Sequence, residues 1–429
     1  MVITDHGKND GSNSIPRGWQ LKSFGDLFEF SGGFSASRDQ LSEFGHCYLH
    51  YGDIHGSNKS WIDTNIDLQD IPKLNIPLKR ISPASLLKDG DVVFVDASED
   101  DEGTSKHIVV SNKSDIPFIS GLHTIVAKSK TNELTHEYRR YCFQSDSIKQ
   151  QFLFYAVGTK VSGISKSNIR NILIAVPPID EQHQISRVLI DIDALLARLD
   201  ITIMKKRDMK QAAMQHLLIG KTRLPGFTEK WQTACLGDLS TMGSGGTPLS
   251  SVSAYYDGDI PWVSISDMTN TGKVISTTSK NLTKEGLKNS AAQIFPPGTV
   301  LYAMYASLGE CSIAGESLCT SQAILGIQVN NALNNEFLYY WLISLKNVVK
   351  TIGQQGTQSN LNKGMVQGFR INLPPLDEQK AIAKVLSDMD DELLKLEDRR
   401  NKTKQLKQAM MQKLLTGKTR LIDEELNNA

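Results

Sequence analysis

The feature that most constrains this chain is an internal repeat. Residues 177–224 and 374–421 align without a gap at an offset of 197, and 25 of the 48 aligned positions are identical. A match of that density indicates a duplicated structural element, and a repeat decides the fold before any local pattern does. The chain therefore contains the same long element twice, with unrelated sequence between the copies.

A weaker repeat precedes each strong one, at an offset of 212. It consists of a Trp-Gln pair, a Gly-Asp-Leu and a glycine-rich turn: Trp19-Gln20, Gly25–Leu27 and Ser31–Gly33 in the first half, and Trp231-Gln232, Gly237–Leu239 and Gly243–Gly246 in the second. Elsewhere the two halves barely resemble each other. We therefore predict two divergent globules alternating with two similar helices, related by a pseudo-twofold internal repeat that brings the chain ends together. The predicted segments are 1–178, 179–224, 225–375 and 376–429.

Each strong repeat predicts one helix of about 40 residues. Asp180 and Asp377 follow a Pro-Pro pair and are predicted as N-caps, and Gly220 and Gly417 are predicted as C-caps. Apolar residues recur in steps of three and four, which is a helical stripe. Because a helix about 60 Å long with one apolar stripe needs a partner, we predict an antiparallel coiled coil of the two copies. The predicted interface residues are Ile185, Val188, Leu189, Ile192, Leu196, Leu199, Ile382, Val385, Leu386, Met389, Leu393 and Leu396.

The globules have a different pattern. Short apolar or alternating segments bounded by turn residues predict strands at Asp91–Val95, His107–Val110, Thr124–Ala127, Thr299–Tyr302 and Ile324–Val329. Helical spacing appears in Glu137–Phe154 and Asn335–Lys350. We predict a mixed α/β (α+β) fold for each globule, built on a twisted sheet.

Composition excludes several classes of protein. Lys plus Arg total 47 and Asp plus Glu total 47, so the chain is no generally basic nucleic-acid coat, although local basic surfaces remain compatible with DNA binding. No apolar run is long enough to cross a membrane, and the first residues do not resemble a signal peptide. The five cysteines form no Cys-x-x-Cys pair, which is typical of reduced thiols in a cytoplasmic protein.

Three enzymatic readings of the repeat were weighed and disfavoured. The Gly-Lys-Thr that closes each copy resembles the end of a P-loop, but Gln215 and Gln412 stand where the motif needs glycine. Glu378-Gln379-Lys380 could end a nuclease motif, but the first copy has His183 in place of the lysine. The Pro-Pro pairs lack the preceding Asn or Asp of a DNA methyltransferase. Without metal-ligand spacing or a nucleophile motif, the sequence predicts no catalytic residue and no metal site.

The twice-repeated Pro-Pro-x-Asp-Glu-Gln, the apolar helix that follows and the closing Gly-Lys-Thr-Arg-Leu resemble the specificity subunit of a type I restriction–modification system. The resemblance covers nearly the whole chain. It implies a non-catalytic subunit with two target-recognition domains, each reading one half of a bipartite double-stranded DNA site. The paired helices would set the spacer and dock two modification (methyltransferase) subunits. Restriction subunits would add translocation and cleavage, and S-adenosylmethionine and ATP would bind those partners, leaving this chain without a cofactor.

The residues that contact DNA are predicted from the loops, where polar side chains can reach phosphates or base edges. His123 and Gln322 occupy matching places in the repeat, and an acidic run at Glu99–Glu102 should face away from DNA. For the polar loop Gly158–Asn168 and its counterpart at Gln354–Lys363, a solvated loop that packs against the start of the helix is an equally simple interpretation. The predicted DNA-contacting residues are Tyr51, His55, His123, Lys160, Ser162, Ser165, Lys166, Gln322, Gln355, Thr357, Gln358, Ser359, Asn360 and Lys363.

A second function from another class remains open at this point. The chain could be a coiled-coil scaffold or regulatory adaptor that binds other proteins and never reads DNA. A methylation pattern that depends on the gene would separate the two readings.

Overall fold

A computed structural model describes residues 15–57, 59–98, 105–158, 162–355 and 360–421. The chain divides into two compact units. Unit 1 combines the chain up to Arg198 with the residues from Arg400 onward, and unit 2 comprises Leu199–Arg399. Each unit therefore holds one globule with part of both long helices, so the compact units cut across the predicted segment boundaries.

The elements of the first globule alternate short strands with short helices. Its strands are β1 (Gln20–Ser23), β2 (Phe28–Gly32), β3 (Leu41–Ser42), β4 (His46–Leu49), β5 (Trp61–Asp63), β6 (Lys73–Leu74), β7 (Val92–Val95), β8 (Ala97–Ser98), β9 (His107–Ser111), β10 (Phe118–Ser120), β11 (Thr124–Ser129), β12 (Ser162–Gly163) and β13 (Leu173–Val176). Its helices are α1 (Phe24–Leu27), α2 (Tyr51–Gly56), α3 (His136–Cys142), α4 (Asp146–Tyr155) and α5 (Lys166–Ile169), and α6 (Ile179–Leu217) follows.

The second globule repeats this plan. Its strands are β14 (Gln232–Cys235), β15 (Ser240–Ser244), β16 (Tyr256–Val263), β17 (Val274–Ile275), β18 (Lys280–Leu282), β19 (Val300–Ala303), β20 (Cys311–Ala314), β21 (Cys319–Thr320), β22 (Ile324–Val329) and β23 (Arg370–Leu373). Its helices are α7 (Ile265–Thr271), α8 (Lys284–Lys288), α9 (Asn335–Ser344), α10 (Lys346–Gln355) and α11 (Lys363–Gln367), and α12 (Leu376–Leu414) follows.

Both globules are built on a five-stranded mixed sheet. The strand order is β2-β11-β7-β9-β5 in unit 1 and β15-β22-β19-β20-β17 in unit 2. In each sheet the last strand is parallel to its neighbour, whereas the other pairs are antiparallel. A further antiparallel pair, β1–β13 or β14–β23, joins the start of each globule to the strand that enters the long helix. The predicted mixed α/β fold, repeated in both halves, is confirmed.

The predicted strands are present within one or two residues, but each predicted globule helix is two helices. In unit 1, α3 ends at Cys142, and Ser145, whose ψ of 147° is extended, is the N-cap of α4. In unit 2, Leu345 separates α9 from α10. Helical spacing of apolar residues continues across both breaks, which is why the sequence did not reveal them.

The two long helices contain 39 residues each, as predicted. They begin earlier than predicted, because the carbonyls of Pro178 and Pro375 accept the first helical hydrogen bonds, each at 3.0 Å. A proline lacks an amide hydrogen, but its carbonyl is free to accept. The prediction that Asp180 and Asp377 are N-caps is therefore wrong, and both lie inside the first turn. Gly220 and Gly417 take the left-handed φ values of 73° and 67° in the turns that follow the helices, as expected for C-terminal glycines.

Ion pairs between α6 and α12 show that the helices pair within each unit, and those of unit 2 confirm the antiparallel direction. In unit 2, a residue farther along α6 pairs with a residue that lies earlier along α12. The pairs are Lys206–Glu392 (2.7 Å) and Lys210–Asp390 in unit 2, and Asp193–Lys407 (2.6 Å) in unit 1.

Residues of the predicted apolar stripe pack in part against the partner helix and in part against the globule. All twelve predicted positions are buried or half-buried. However, Ile185 and Leu189 belong to the hydrophobic core of the first globule, and Ile382 and Leu386 belong to that of the second. The first turns of each helix are therefore part of a globule core, and the prediction of a coiled-coil interface alone was too simple there.

Two glycines bring the repeated glycine-rich turn close to a neighbouring turn. A Cβ on Gly33 would lie 1.8 Å from the carbonyl oxygen of Gly121, and a Cβ on Gly245 would lie 2.2 Å from that of Thr320. No larger residue fits at such distances. Both approaches occur beside the turn that leads into β11 or β22, where the predicted DNA contacts His123 and Gln322 lie. None of the described helices is both long enough and apolar enough to cross a membrane.

Candidate nucleic-acid interface

The repeated glutamate after Pro-Pro is the centre of a buried ion-pair cluster, here called the glutamate anchor. In unit 1, Glu181 is fully buried. Its carboxylate accepts hydrogen bonds from Arg420 through Nε at 2.5 Å and Nη2 at 2.7 Å, and from Trp19 Nε1 at 2.8 Å. Arg420 also donates to the backbone carbonyl of Arg17 at 3.0 Å. The prediction that the two chain ends meet is thus confirmed for the described residues at each end.

Unit 2 contains the same glutamate anchor. Glu378 is fully buried and accepts two hydrogen bonds from Arg223 at 2.6 Å each, and one from Trp231 Nε1 at 3.0 Å. The arginine belongs to the Gly-Lys-Thr-Arg that ends α6, whereas the glutamate begins α12. A carboxylate with three donors in a buried position has a structural role, which removes the nuclease reading of Glu378.

The glutamine that follows the glutamate ties the helix start to its globule. Gln182 donates to the carbonyls of Glu133 and Pro177 and accepts from the amide of Thr135. In the second copy, Gln379 makes the equivalent three bonds to Ala332, Pro374 and Asn334. The repeated Pro-Pro-x-Asp-Glu-Gln is therefore a structural joint, and the predicted DNA contacts lie elsewhere in the globules.

Several of the predicted DNA contacts of unit 1 come together around Asp96. The ring of Tyr51 meets His123 edge-on at 5.5 Å and packs on His50 at 4.6 Å. His123 Nδ1 lies 3.4 Å from Asp96 Oδ1. The backbone φ of His123 is +56°, a value that is uncommon outside glycine. The turn before β11 and the start of α2 thus form one aromatic and imidazole surface.

Charge and protonation in this cluster follow from burial. Burial raises the pKa of Asp96, while His123 and then Lys166 act to lower it. Burial also lowers the pKa of His50, whose Nδ1 accepts a hydrogen bond from the amide of Gly52. His50 is therefore neutral near pH 7, with its proton on Nε2. Tyr51, His123 and the exposed Lys166 supply donors of the kind that bind phosphates or acceptors on base edges.

The remaining predictions for unit 1 fall into three groups. Ser165 is the N-cap of α5, where its side chain accepts from the amide of Asn168, so its hydroxyl already has a structural partner. His55 lies in the last turn of α2 and its carbonyl accepts from Lys106 Nζ at 2.5 Å. Lys160, the side chain of Ser162 and the acidic run Glu99–Glu102 lie outside the described residues.

In unit 2 the turn before β22 carries Gln322, which accepts a hydrogen bond from the hydroxyl of Thr247 in the glycine-rich segment. The equivalent turn of unit 1 has three residues between β10 and β11, of which His123 is the third, whereas Gln322 is the second of three between β21 and β22. The two residues therefore do not occupy matching places. The turns match, but the residues are offset by one.

The amide-rich loop of unit 2 is described only at its end. Asn360 is exposed, and Lys363 is the exposed first residue of α11. Thr357, Gln358, Ser359 and the side chain of Gln355 lie outside the described residues. Whether the loop contacts DNA stays a prediction.

Two sets of contacts were not predicted from the sequence: the glutamate anchor and the partner of His123, which is Asp96. Trp19, Glu181 and Arg420 all belong to the repeated motifs, so a search for buried ionic partners among repeated residues would have found them. Asp96 carried no such signal, because it lies in a connection that differs between the two globules.

The chain is similar to known proteins over most of its length. A family model described as the type I restriction modification DNA specificity domain matches residues 16–205 and 228–408. The chain is 23% identical over 426 residues to the putative type I restriction enzyme MjaX specificity subunit of Methanocaldococcus jannaschii, covering 95% of each protein. It is 30% identical over 174 residues to the MjaIX specificity subunit of the same organism, 40% of each protein.

Two solved structures share the fold. The S subunit of the type I restriction–modification system of M. genitalium matches with a TM-score of 0.56 and 14% identity, over 95% of this chain and 98% of that one. A chain from a study of complex assembly and conformational transition in the type I system also matches with a TM-score of 0.56. There the identity is 18%, over 95% of this chain and 100% of that one.

Proposed function

This chain belongs to the type I restriction–modification DNA specificity family, and from that premise we propose that it is the DNA-reading subunit of such a complex. The observation that carries the proposal is the duplication itself. Two globules share one sheet order but differ in the connections around it. A protein that reads two different half-sites needs the same framework in both globules and a different reading surface on each.

Each globule would read one half of a bipartite DNA target. In unit 1 we place the reading surface around Tyr51, His123 and Lys166, because these side chains carry donors and gather around Asp96, with His123 and Lys166 exposed. In unit 2 we place it at the equivalent turn, around Gln322 and Thr247. An amide side chain can bond an adenine edge through both its oxygen and its nitrogen.

The paired long helices would set the spacer between the half-sites. A helix of 39 residues extends about 59 Å at 1.5 Å per residue. The ion pairs between α6 and α12 support the pairing of the helices. The role as a spacer needs a rigid pair, because a flexible one would accept several spacer lengths.

The methylation and cleavage chemistry would belong to partner subunits. We propose that two modification subunits bind this chain and carry S-adenosylmethionine, and that restriction subunits carry ATP. This chain would then be a non-catalytic component that acts where its DNA lies, in the cytoplasm.

The test is a map of N6-methyladenine across the source genome, with the gene present, deleted and restored. We expect a bipartite motif that disappears on deletion and returns on restoration, which would yield both half-sites and the spacer. His123→Ala should then alter methylation that depends on one half-site and leave the other half-site unchanged. A methylation map that does not respond to the gene, although the protein and a modification partner are present, would refute DNA reading and favour the adaptor function.

A further inference from the structure

A second contact is repeated in both units, farther along the long helices than the glutamate anchor. It joins a tyrosine of the globule, an aspartate of one long helix and a lysine of the other, and we call it the tyrosine clamp. In unit 1, Tyr141 donates to Asp193 Oδ2 at 2.8 Å, and Lys407 lies 2.6 Å from Asp193 Oδ1. The lysine ammonium also lies 5.5 Å from the centre of the Tyr141 ring.

Unit 2 contains the same tyrosine clamp with the helix roles exchanged. Tyr340 donates to Asp390 Oδ2 at 2.8 Å, and Lys210 pairs with Asp390 Oδ1. The ammonium of Lys210 lies 5.6 Å from the centre of the Tyr340 ring. The aspartate and the lysine correspond between the two units at the same offset of 197 that relates the helices.

The chemistry of the clamp is fixed by burial. Tyr141 and Tyr340 are almost fully buried, and burial raises the pKa of both phenols, so each hydroxyl stays protonated and donates. Each aspartate offers one oxygen to the tyrosine and the other to the lysine, so a single carboxylate joins three elements. A hydrogen bond to an ionised acceptor is among the stronger ones in proteins.

The position of the clamp matters because each globule then has two fixed points on its helices. Asp193 follows Glu181 by twelve residues, and Asp390 follows Glu378 by twelve, which is about 18 Å along a helix. The globule core already holds the first turns of the helix, and the clamp adds a polar contact about 18 Å beyond the glutamate anchor, which limits rotation of the globule about those turns. The tyrosines themselves lie on α3 and α9, which follow the ends of β11 and β22 opposite to the proposed reading turns.

We propose that the two tyrosine clamps fix the orientation of each globule on the helix pair and thereby set which spacer lengths the subunit accepts. The inference rests on the proposed function. Tyr141 and Tyr340 are positioning residues, since they act on the placement of the reading surfaces and do not contact DNA.

The two clamps differ in one respect that sharpens the test. In unit 2, Lys273 adds a further link, since its Nζ lies 3.1 Å from Ser387 Oγ of α12, 3.3 Å from Glu336 of α9 and 3.4 Å from the Tyr340 hydroxyl. The residue that corresponds to Ser387 in α6 is Ile190, which offers no polar atom for such a link. Loss of the Tyr340 hydroxyl removes one bond of Lys273 but leaves its contacts with Ser387 and Glu336, so removal of the tyrosine hydroxyl should loosen unit 1 more than unit 2.

The experiment uses the full chain assembled with its modification subunits. Methylation rates are measured on duplexes that carry both half-sites at the native spacer, one base pair shorter and one base pair longer. For Tyr141→Phe we expect the rate on the altered spacers, relative to the native one, to rise about tenfold, which is the factor that one hydrogen bond to a charged group controls. Tyr340→Phe should give a smaller rise, and neither variant should change the half-site sequences.

Asp193→Asn is the second variant, because it keeps an acceptor for the tyrosine but removes the lysine's counter-charge. Tyr302→Phe is the matched control, since the Tyr302 hydroxyl is buried without a hydrogen-bond partner in the described part of the chain. An unchanged spacer ratio in Tyr141→Phe and Asp193→Asn, or an equal loss of rate on all three spacers, would overturn the positioning role. If the wild-type complex itself shows no bipartite target, the proposed function fails first, so the two failures are distinguishable.

Discussion

Two neighbouring carboxylates at the start of α6 offer a direct test of the glutamate anchor. Asp180 is exposed and Glu181 is fully buried, yet both lie in the first turn. If these acidic residues only favoured the helix dipole, Asp180→Asn and Glu181→Gln would have similar small effects. If Glu181 holds the anchor together, its substitution should cost much more.

The expected magnitude follows from the contacts of Glu181. Glutamine keeps one oxygen, but its amide nitrogen then faces an N–H of Arg420 or Trp19, and the arginine loses its counter-charge. Removing one partner of a buried ion pair costs about 3–5 kcal/mol. The low end, about 3 kcal/mol, applies here because the Arg420 side chain is 21% exposed and water can reach it. Asp180→Asn should cost about 0.5 kcal/mol.

Hydrogen exchange read by mass spectrometry localises the effect. β1 follows Trp19 directly, so its amides report opening of the anchor in unit 1, and those of β14 report the untouched anchor of unit 2. A loss of about 3 kcal/mol in local stability corresponds to about a hundredfold faster exchange when opening limits it. We expect that acceleration in β1 for Glu181→Gln, little change for Asp180→Asn, and none in β14. Equal acceleration by both substitutions would refute the anchor and leave the dipole as a sufficient explanation.

Three further outcomes are expected. Burial lowers the pKa of His107 from 6.5 to about 4. The contribution of neutral His107 to the free energy of unfolding is therefore present above pH 6.5. It is lost as the pH falls toward 4, and the loss amounts to about 3 kcal/mol. Urea unfolding of unit 1 between pH 7 and pH 4 should show this loss. His107→Leu should make the free energy of unfolding less dependent on pH, and an equally steep dependence in the variant would contradict the prediction. Lys166→Ala should weaken binding to all DNA sequences alike and lower the slope of log affinity against log salt concentration by about one. Lys130 lies beyond the opposite end of β11, so Lys130→Ala should change neither the affinity nor the slope. Removal of one heptad from both long helices should shorten the accepted spacer by about three base pairs, since about 10 Å of helix is lost, and an unchanged spacer would exclude the helices as its determinant.

The fold was largely predictable from the sequence because it depends on local patterns. Two helices of 39 residues follow from an apolar stripe between Pro-Pro and glycine, and strands such as β7 and β22 follow from short apolar runs. The glutamate anchor was not predictable in this way. Glu181 and Arg420 are 239 residues apart, and the repeat shows that both recur without showing that they meet.

The candidate reading surface was predictable only in part. His123 and Tyr51 were selected for their side-chain chemistry, and they do meet. Their organising partner Asp96 had no motif, and its importance comes from a burial that only the three-dimensional arrangement reveals. The offset between His123 and Gln322 shows the same limit, since a gapless comparison cannot place a turn to one residue when its flanking sequence has diverged.

The distribution of repeated contacts separates two physical tasks within one chain. Every member of the glutamate anchors lies at a helix start, just after a helix end or at the start of a globule. The clamps add an aspartate and a lysine within the long helices and a tyrosine from a helix beyond the sheet. None of these contacts uses the turns before β11 or β22. Changes in those turns therefore leave the ion pairs that fasten the globule intact, so a new reading surface need not be accompanied by a new attachment. That independence explains why the attachment residues are the same in both halves while the candidate reading residues are not.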